Sequence, residues 1–189
     1  MPPKKSQLPA SLRLLGFLPL LFFLARLWAA YKEGAISNIL WLCHFSNLTL
    51  AIGLLFGWRY WIRFSAPWLA IGFPLWVWNI AALGIGTLTT LGTHVGGAIV
   101  GLIAISKIGI EKRTWIYAAG WYLFLQTISR AITPPALNVN IAHDYYFGWE
   151  TMFANYWLYW LAITLTIFLA LWLLNQLLFR LWPASKLSS

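Results

Sequence analysis

One thiol, Cys43, and three imidazoles, His44, His94 and His143, are the groups in this chain best suited to act as nucleophile, base or metal ligand. A thiol beside a histidine can be a nucleophile activated by a base, and Cys43 with His94 or His44 supplies those types. Asn47, Asn79, Gln126 and Arg130 are polar groups that could then stabilise a developing oxyanion. Each has a plainer reading. A lone membrane cysteine serves as a small apolar filler, an intramembrane histidine as an interhelical hydrogen bond, and Arg130 as a cation snorkelling to an interface. The histidine spacing matches no short ligand motif, and carboxylate support is limited to Asp144 and Glu150. No metal site and no cofactor is therefore assigned.

The elements that must position these groups are apolar helices. Of 189 residues, 61% are hydrophobic and only 9% charged, whereas a soluble domain carries about a quarter charged residues. Water is not this chain's main solvent. The 14 Trp, 12 Phe and 8 Tyr suit a bilayer protein, because amphipathic rings settle at the headgroup level. A net charge of +9 raises the question of nucleic acid, but the basic residues sit in short clusters between apolar runs, as in membrane loops. No nucleic-acid partner is expected. A single cysteine cannot form an internal disulfide and says nothing about redox compartment.

Spanning hydrocarbon takes roughly 20 apolar residues. Six such runs predict one all-α domain over 1–189, a polytopic bundle of six transmembrane helices at about 12–31, 37–58, 66–83, 87–108, 113–133 and 155–180. Arg26 interrupts the first run and no clean cleavage site follows it, so a retained helix is expected rather than a signal peptide. Pro67, Pro134 and Pro135 fall near expected span ends, while Pro19 and Pro74 are internal and predict kinks. One side of the bundle collects Lys4, Lys5, Arg13, Arg59, Arg63, Lys107, Lys112, Arg113, Arg180 and Lys186, and the other only Arg26, Lys32 and Arg130. That bias puts both termini in the cytoplasm. A multi-pass protein of the cell membrane, with a bacterial inner membrane suiting the bias, is the expected localisation.

Ionisable groups inside spans are expensive and are functional candidates by default. Counting helical rise from the outer ends, His44 and His94 each lie roughly 10 Å deep. Asn79 and Arg130 fall in the outer third, and the long outer loop carries Asn138, Asn140, His143 and Asp144. Helical phase places Asn47 on one face with Cys43 and His44, and aligns Thr87, Thr90, His94, Gly97, Ala98 and Gly101. Gly97 and Gly101 form a GxxxG pair that lets helices approach closely. Gln126 stacks one turn from Arg130. A polar pocket between helices, open outward, is the expected packing.

The stretch Leu40-Trp41-Leu42-Cys43-His44-Phe45-Ser46-Asn47-Leu48 resembles a span of the small bacterial membrane proteins of the YwaF type and their eukaryotic ether-phospholipid acyltransferase relatives. More distantly it resembles the androgen-induced membrane hydrolases of fatty-acid esters. Gly92-Thr93-His94-Val95 matches the later span where those families place a histidine, and the Asn138–Asn140 loop is a third match. The resemblance implies Cys43 as nucleophile, His94 as base, and acyl-ester chemistry on membrane lipids or a lipid-like substrate. The alternatives are a non-enzymatic transporter or lipid-binding protein, and a haem- or metal-binding membrane protein. Against transport, the inner halves of spans two and four (Leu54-Leu55-Phe56, Val100-Gly101-Leu102-Ile103) are nearly all apolar.

Overall fold

A computed structural model describes residues 8–84 and 86–184, and these are all-helical. Lys4, Lys5 and Lys186, which entered the charge count, lie outside the described residues. The helices are α1 (Ala10–Leu14), α2 (Phe17–Lys32), α3 (Leu42–Phe56), α4 (Arg59–Leu83), α5 (Leu88–Leu91), α6 (Gly97–Ile108), α7 (Thr114–Ile132) and α8 (Tyr156–Leu181). Among the described residues three stretches are long and apolar enough to cross a membrane: Ala10–Lys32, Leu88–Ile108 and Tyr156–Leu181. The apolar helix Leu42–Phe56 is shorter.

Local chemistry explains the breaks. Pro19 has no N–H to give to the Leu15 carbonyl, which takes the Leu18 N–H instead at 3.1 Å, and the first segment divides at Leu15–Gly16. A side chain at Gly16 would come within 3.0 Å of Leu54 Cβ and closer still to Leu55 Cγ, so α3 requires the glycine as well. Gly57, at φ +76°, ends α3. Its N–H meets the Leu54 carbonyl and that of Trp58 meets Gly53, the paired bonds of a Schellman motif.

Three expectations need correcting. Residues 59–65 are not a turn: α4 starts at Arg59, directly after the tight Gly57–Trp58 connection. Pro67 accordingly lies inside α4 with Pro74, and the helix runs on through both. The second segment is not one helix from residue 37, because Ile36–Leu40 is a 3-10 turn and α3 begins at Leu42.

Contacts divide the bundle into two ends. At one, Arg13 Nε donates to the Leu55 carbonyl, and Ile110 pairs with the chain around Trp182 and Ala184. Arg63 is paired with Glu111 and donates to the Gly109 carbonyl at 2.9 Å, while Asn175 Nδ2 holds the Glu111 and Lys112 carbonyls. A core including Leu50, Leu54, Ile62, Leu69, Ala104 and Ile105 fills this end. The opposite end carries the α2–α3 connection and the long 133–155 connection, joined through Asn140.

Candidate functional site

Near that second end, α3, α4, α7, α8 and the long connection enclose a cavity of about 380 Å³. Cys43 and His94 both line it, and so does Gly72 of α4. A Cβ added to Gly72 would sit 3.4 Å from Cys43 Cβ and 3.6 Å from His94 Cδ2, so one methyl group would touch both residues. The absent side chain keeps the cavity wall open beside both residues.

His94 is aimed by an irregular turn. Residues Gly92–Gly96 form a π-helical turn between α5 and α6, the kind of local widening that recurs at functional sites. A side chain at Gly96 would collide with the Phe22 ring at 2.5 Å, and one at Gly92 would be tight against it at 3.1 Å, so it is Gly96 above all that lets this turn pack on α2. Nδ1 of His94 lies 2.8 Å from the Thr90 carbonyl, which can only accept. The proton is therefore assigned to Nδ1, leaving the lone pair on Nε2. Trp76 stacks on the ring at 5.6 Å, nearly parallel, and His44 meets it edge-on at 5.6 Å. The ring has little freedom to turn.

The other candidates divide sharply. His44 is buried, with Nδ1 3.8 Å from Cys43 Sγ, but it is not part of the cavity wall. Asn47 spends both amide hydrogens on carbonyls, those of Cys43 and Thr93, each at 2.9 Å. With no donor left it acts as a tie between α3 and the π turn. Gln126 bridges Tyr122, Asn140 and Trp160 behind the wall. Arg130 holds the Ala142 carbonyl and lies over the Tyr156 and Trp157 rings at an exposed position, away from the cavity. Asn79 does line the cavity and accepts a hydrogen bond from Tyr146 Oη.

In the long connection, Asn138 turns the chain on itself. Its side chain bonds the Asp144 and Tyr145 carbonyls and the His143 and Asp144 N–H groups. His143 Nε2 meets Thr133 Oγ1 at 3.2 Å, and Asp144 caps the Tyr145 N–H, so both serve the loop's own fold. Asn140 lines the cavity while pinning the start of α3. Among the described residues no three His, Cys, Asp or Glu side chains are grouped to hold a metal ion.

Aromatic residues not singled out from sequence supply much of the wall. Trp41, Trp68, Trp76, Tyr122, Tyr146 and Tyr159 all contribute. The Tyr122 and Tyr159 hydroxyls each accept a bond, from Gln126 Nε2 and the Tyr146 N–H respectively. Accepting leaves each its own proton to donate. Burial pushes the Tyr146 hydroxyl above its ordinary range, and the hydroxyl donates to Asn79. Outside the cavity, Arg26 grips Glu33 through two bonds of 3.0 Å, and this pairing holds the Glu33 carboxyl below its ordinary value.

These features define an all-helical protein with apolar helices of membrane-crossing length and an aromatic-walled cavity between helices. No family model, curated protein or solved structure matches the chain.

Proposed function

We propose that this is a six-span membrane protein with cytoplasmic termini, and that its cavity carries out acyl-ester chemistry on a membrane lipid, by transfer or hydrolysis. The observation that carries this reading is the shared wall: Cys43 and His94 border the same cavity, and both side chains lie beside Gly72. His94 Nε2 takes the Cys43 thiol proton as Sγ attacks the ester carbonyl. The tetrahedral adduct collapses, the C–O bond breaks, and His94 returns the proton to the leaving alcohol, giving a thioester. A second alcohol or a water then attacks that thioester, with His94 again relaying the proton. Tyr122 and Tyr159, hydroxyl-bearing residues of the cavity wall, take the oxyanion-stabilising role in place of Asn47 and Gln126.

The motif resemblance to membrane acyltransferases and ester hydrolases agrees with this assignment of Cys43 and His94. Transport is the weaker reading, because none of the residues packed in the core at the other end lines the cavity. The test presents the purified protein, in lipid bilayers, with an acyl donor probe, a long acyl chain ending in a thioester. Wild type is expected to take up the acyl group on Cys43. Cys43→Ala is expected to abolish the adduct, and His94→Gln to slow its formation by about a hundredfold. Equal acylation of Cys43→Ala and wild type would remove the proposal.

A further inference from the structure

The cavity wall includes residues that are also exposed on the outside of the bundle. Leu75 is 57% exposed and Trp78 64%, both on α4, and Thr166 of α8 is exposed as well. Their presence in the wall means that the cavity reaches the bundle's flank between α4 and α8. That flank is apolar: α8 is one of the helices long and apolar enough to cross a membrane, and it exposes Leu169 and Leu173, three and seven residues on from Thr166 and so on its side of the helix. Thr166 spends its hydroxyl on the Ala162 carbonyl at 2.8 Å, so it presents no unpaired donor to lipid. The long connection closes the cavity from above through Asn140, Ile141, Tyr146 and Trp149, and Tyr146 is tied to α4 by its bond to Asn79.

We infer that the cavity is loaded sideways, by one acyl chain of a lipid dissolved in the surrounding bilayer, through a slot between α4 and α8 beneath a roof tied by Tyr146 and Asn79. The inference rests on the reading of the chain as a membrane protein with its cavity facing lipid. Shape and size select the occupant. The lining runs from Trp68 to Asn79 along α4, roughly 16 Å at helical rise, so the space is long and narrow. About 380 Å³ is near the lower end for ligand pockets. It takes one chain and leaves the remainder of the lipid outside. Trp68, Ile71 and Ile167 give the chain apolar contacts, while Asn79 and Tyr146 put polar groups on the roof side.

Cys43 is the chain's only cysteine, which makes thiol labelling a direct reading of access to the cavity. The full-length protein in phosphatidylcholine vesicles is treated with N-dodecylmaleimide, which partitions into the bilayer, or with a trimethylammonium methanethiosulfonate, which stays in water. Each rate is normalised to that reagent's reaction with free thiol. The dodecyl reagent is expected to label wild type at least about tenfold faster, because a fixed charge enters an apolar slot at high cost. Thr166→Trp and Leu75→Trp, both on the exposed flank, are expected to slow the dodecyl reagent by about tenfold through blocking the slot. Equal labelling of both variants in SDS controls for thiol integrity, and unchanged melting midpoints control for folding. Tyr146→Phe, which loses the tie to Asn79, is expected to admit the cationic reagent.

A normalised cationic rate as high as the dodecyl rate in wild type would overturn the sideways route. So would dodecyl labelling unaffected in both tryptophan variants. A cationic rate unaltered by Tyr146→Phe would overturn the roof. Labelling reads access and not turnover. If Cys43 is labelled as expected yet never acylated by the thioester probe, the catalytic reading fails and the slot stands. If Cys43 is acylated with no dependence on Thr166 or Leu75, the slot fails and the catalytic reading stands.

Discussion

Asn140 does with one side chain what a neighbouring backbone does in a sheet. Its Oδ1 accepts the Leu42 N–H at 2.8 Å, and its Nδ2 donates to the Leu40 carbonyl and Ser129 Oγ, each at 2.9 Å. The residue is buried and held at φ +56°, a left-handed conformation that asparagine tolerates better than most residues. Asn140→Ala is expected to destabilise the protein by about 3 kcal/mol, since it strands buried polar groups on two elements. Equilibrium unfolding in mixed micelles measures this, and a loss below about 1 kcal/mol would show the clamp to be idle. Sequence marked Asn140 as one of several polar loop residues and as part of the weakest of three family matches. Two of its partners lie 98 and 100 positions away, so no local spacing announces them. Asn47 shows the converse. Its helical phase correctly puts it beside Cys43, whose carbonyl it bonds, but phase could not say that its second hydrogen goes to Thr93 on another element.

At the scale of elements, glycines set how closely helices meet. A Cβ on Gly97 would lie 2.5 Å from Asn47 Oδ1, and one on Gly101 3.1 Å from Ala66 Cβ. The GxxxG pair read from sequence therefore brings α6 against both α3 and α4. Gly72 differs, since a Cβ there meets only ordinary contacts with Cys43 and His94. Gly97→Ala is expected to cost about 2 kcal/mol through overpacking and a displaced Asn47, while Gly72→Ala stays within about 0.5 kcal/mol of wild type. Thermal melting of the two variants side by side tests this, and equal midpoints would contradict the close approach of α6 to α3. The helices themselves were legible because apolar runs of this length have few other solutions. The π turn was not, because a shift from i+4 to i+5 bonding leaves no composition or period behind it. Gly72 escaped notice for a related reason: a lone glycine in an apolar run carries no spacing that marks it.

The whole molecule is polarised along its helices, with packed apolar side chains at the end bearing the described chain termini and the cavity toward the other. α3 illustrates how a short helix can belong to such a bundle. Its 15 residues rise roughly 22 Å at helical pitch, less than the roughly 30 Å of hydrocarbon. The 3-10 turn Ile36–Leu40 adds about 2 Å per residue ahead of it. α4 and α7, with 25 and 19 residues, are long enough to span yet fall outside the strongly apolar set. α4 carries Arg59 and Arg63, and α7 carries Gln126 and Arg130. Their polar groups face bonded partners inside the bundle or lie near its ends, which composition averages away. The six-span reading makes a definite demand on sidedness. In a Cys43→Ser background, Phe147→Cys in the exposed long connection and Lys112→Cys in the α6–α7 connection should fall on opposite faces of the membrane. An impermeant maleimide added to intact cells is expected to label the first and to reach the second only after permeabilisation. Labelling of both in intact cells would break the six-span arrangement, and the reverse pattern would invert the orientation drawn from the excess of lysine and arginine at the terminal end.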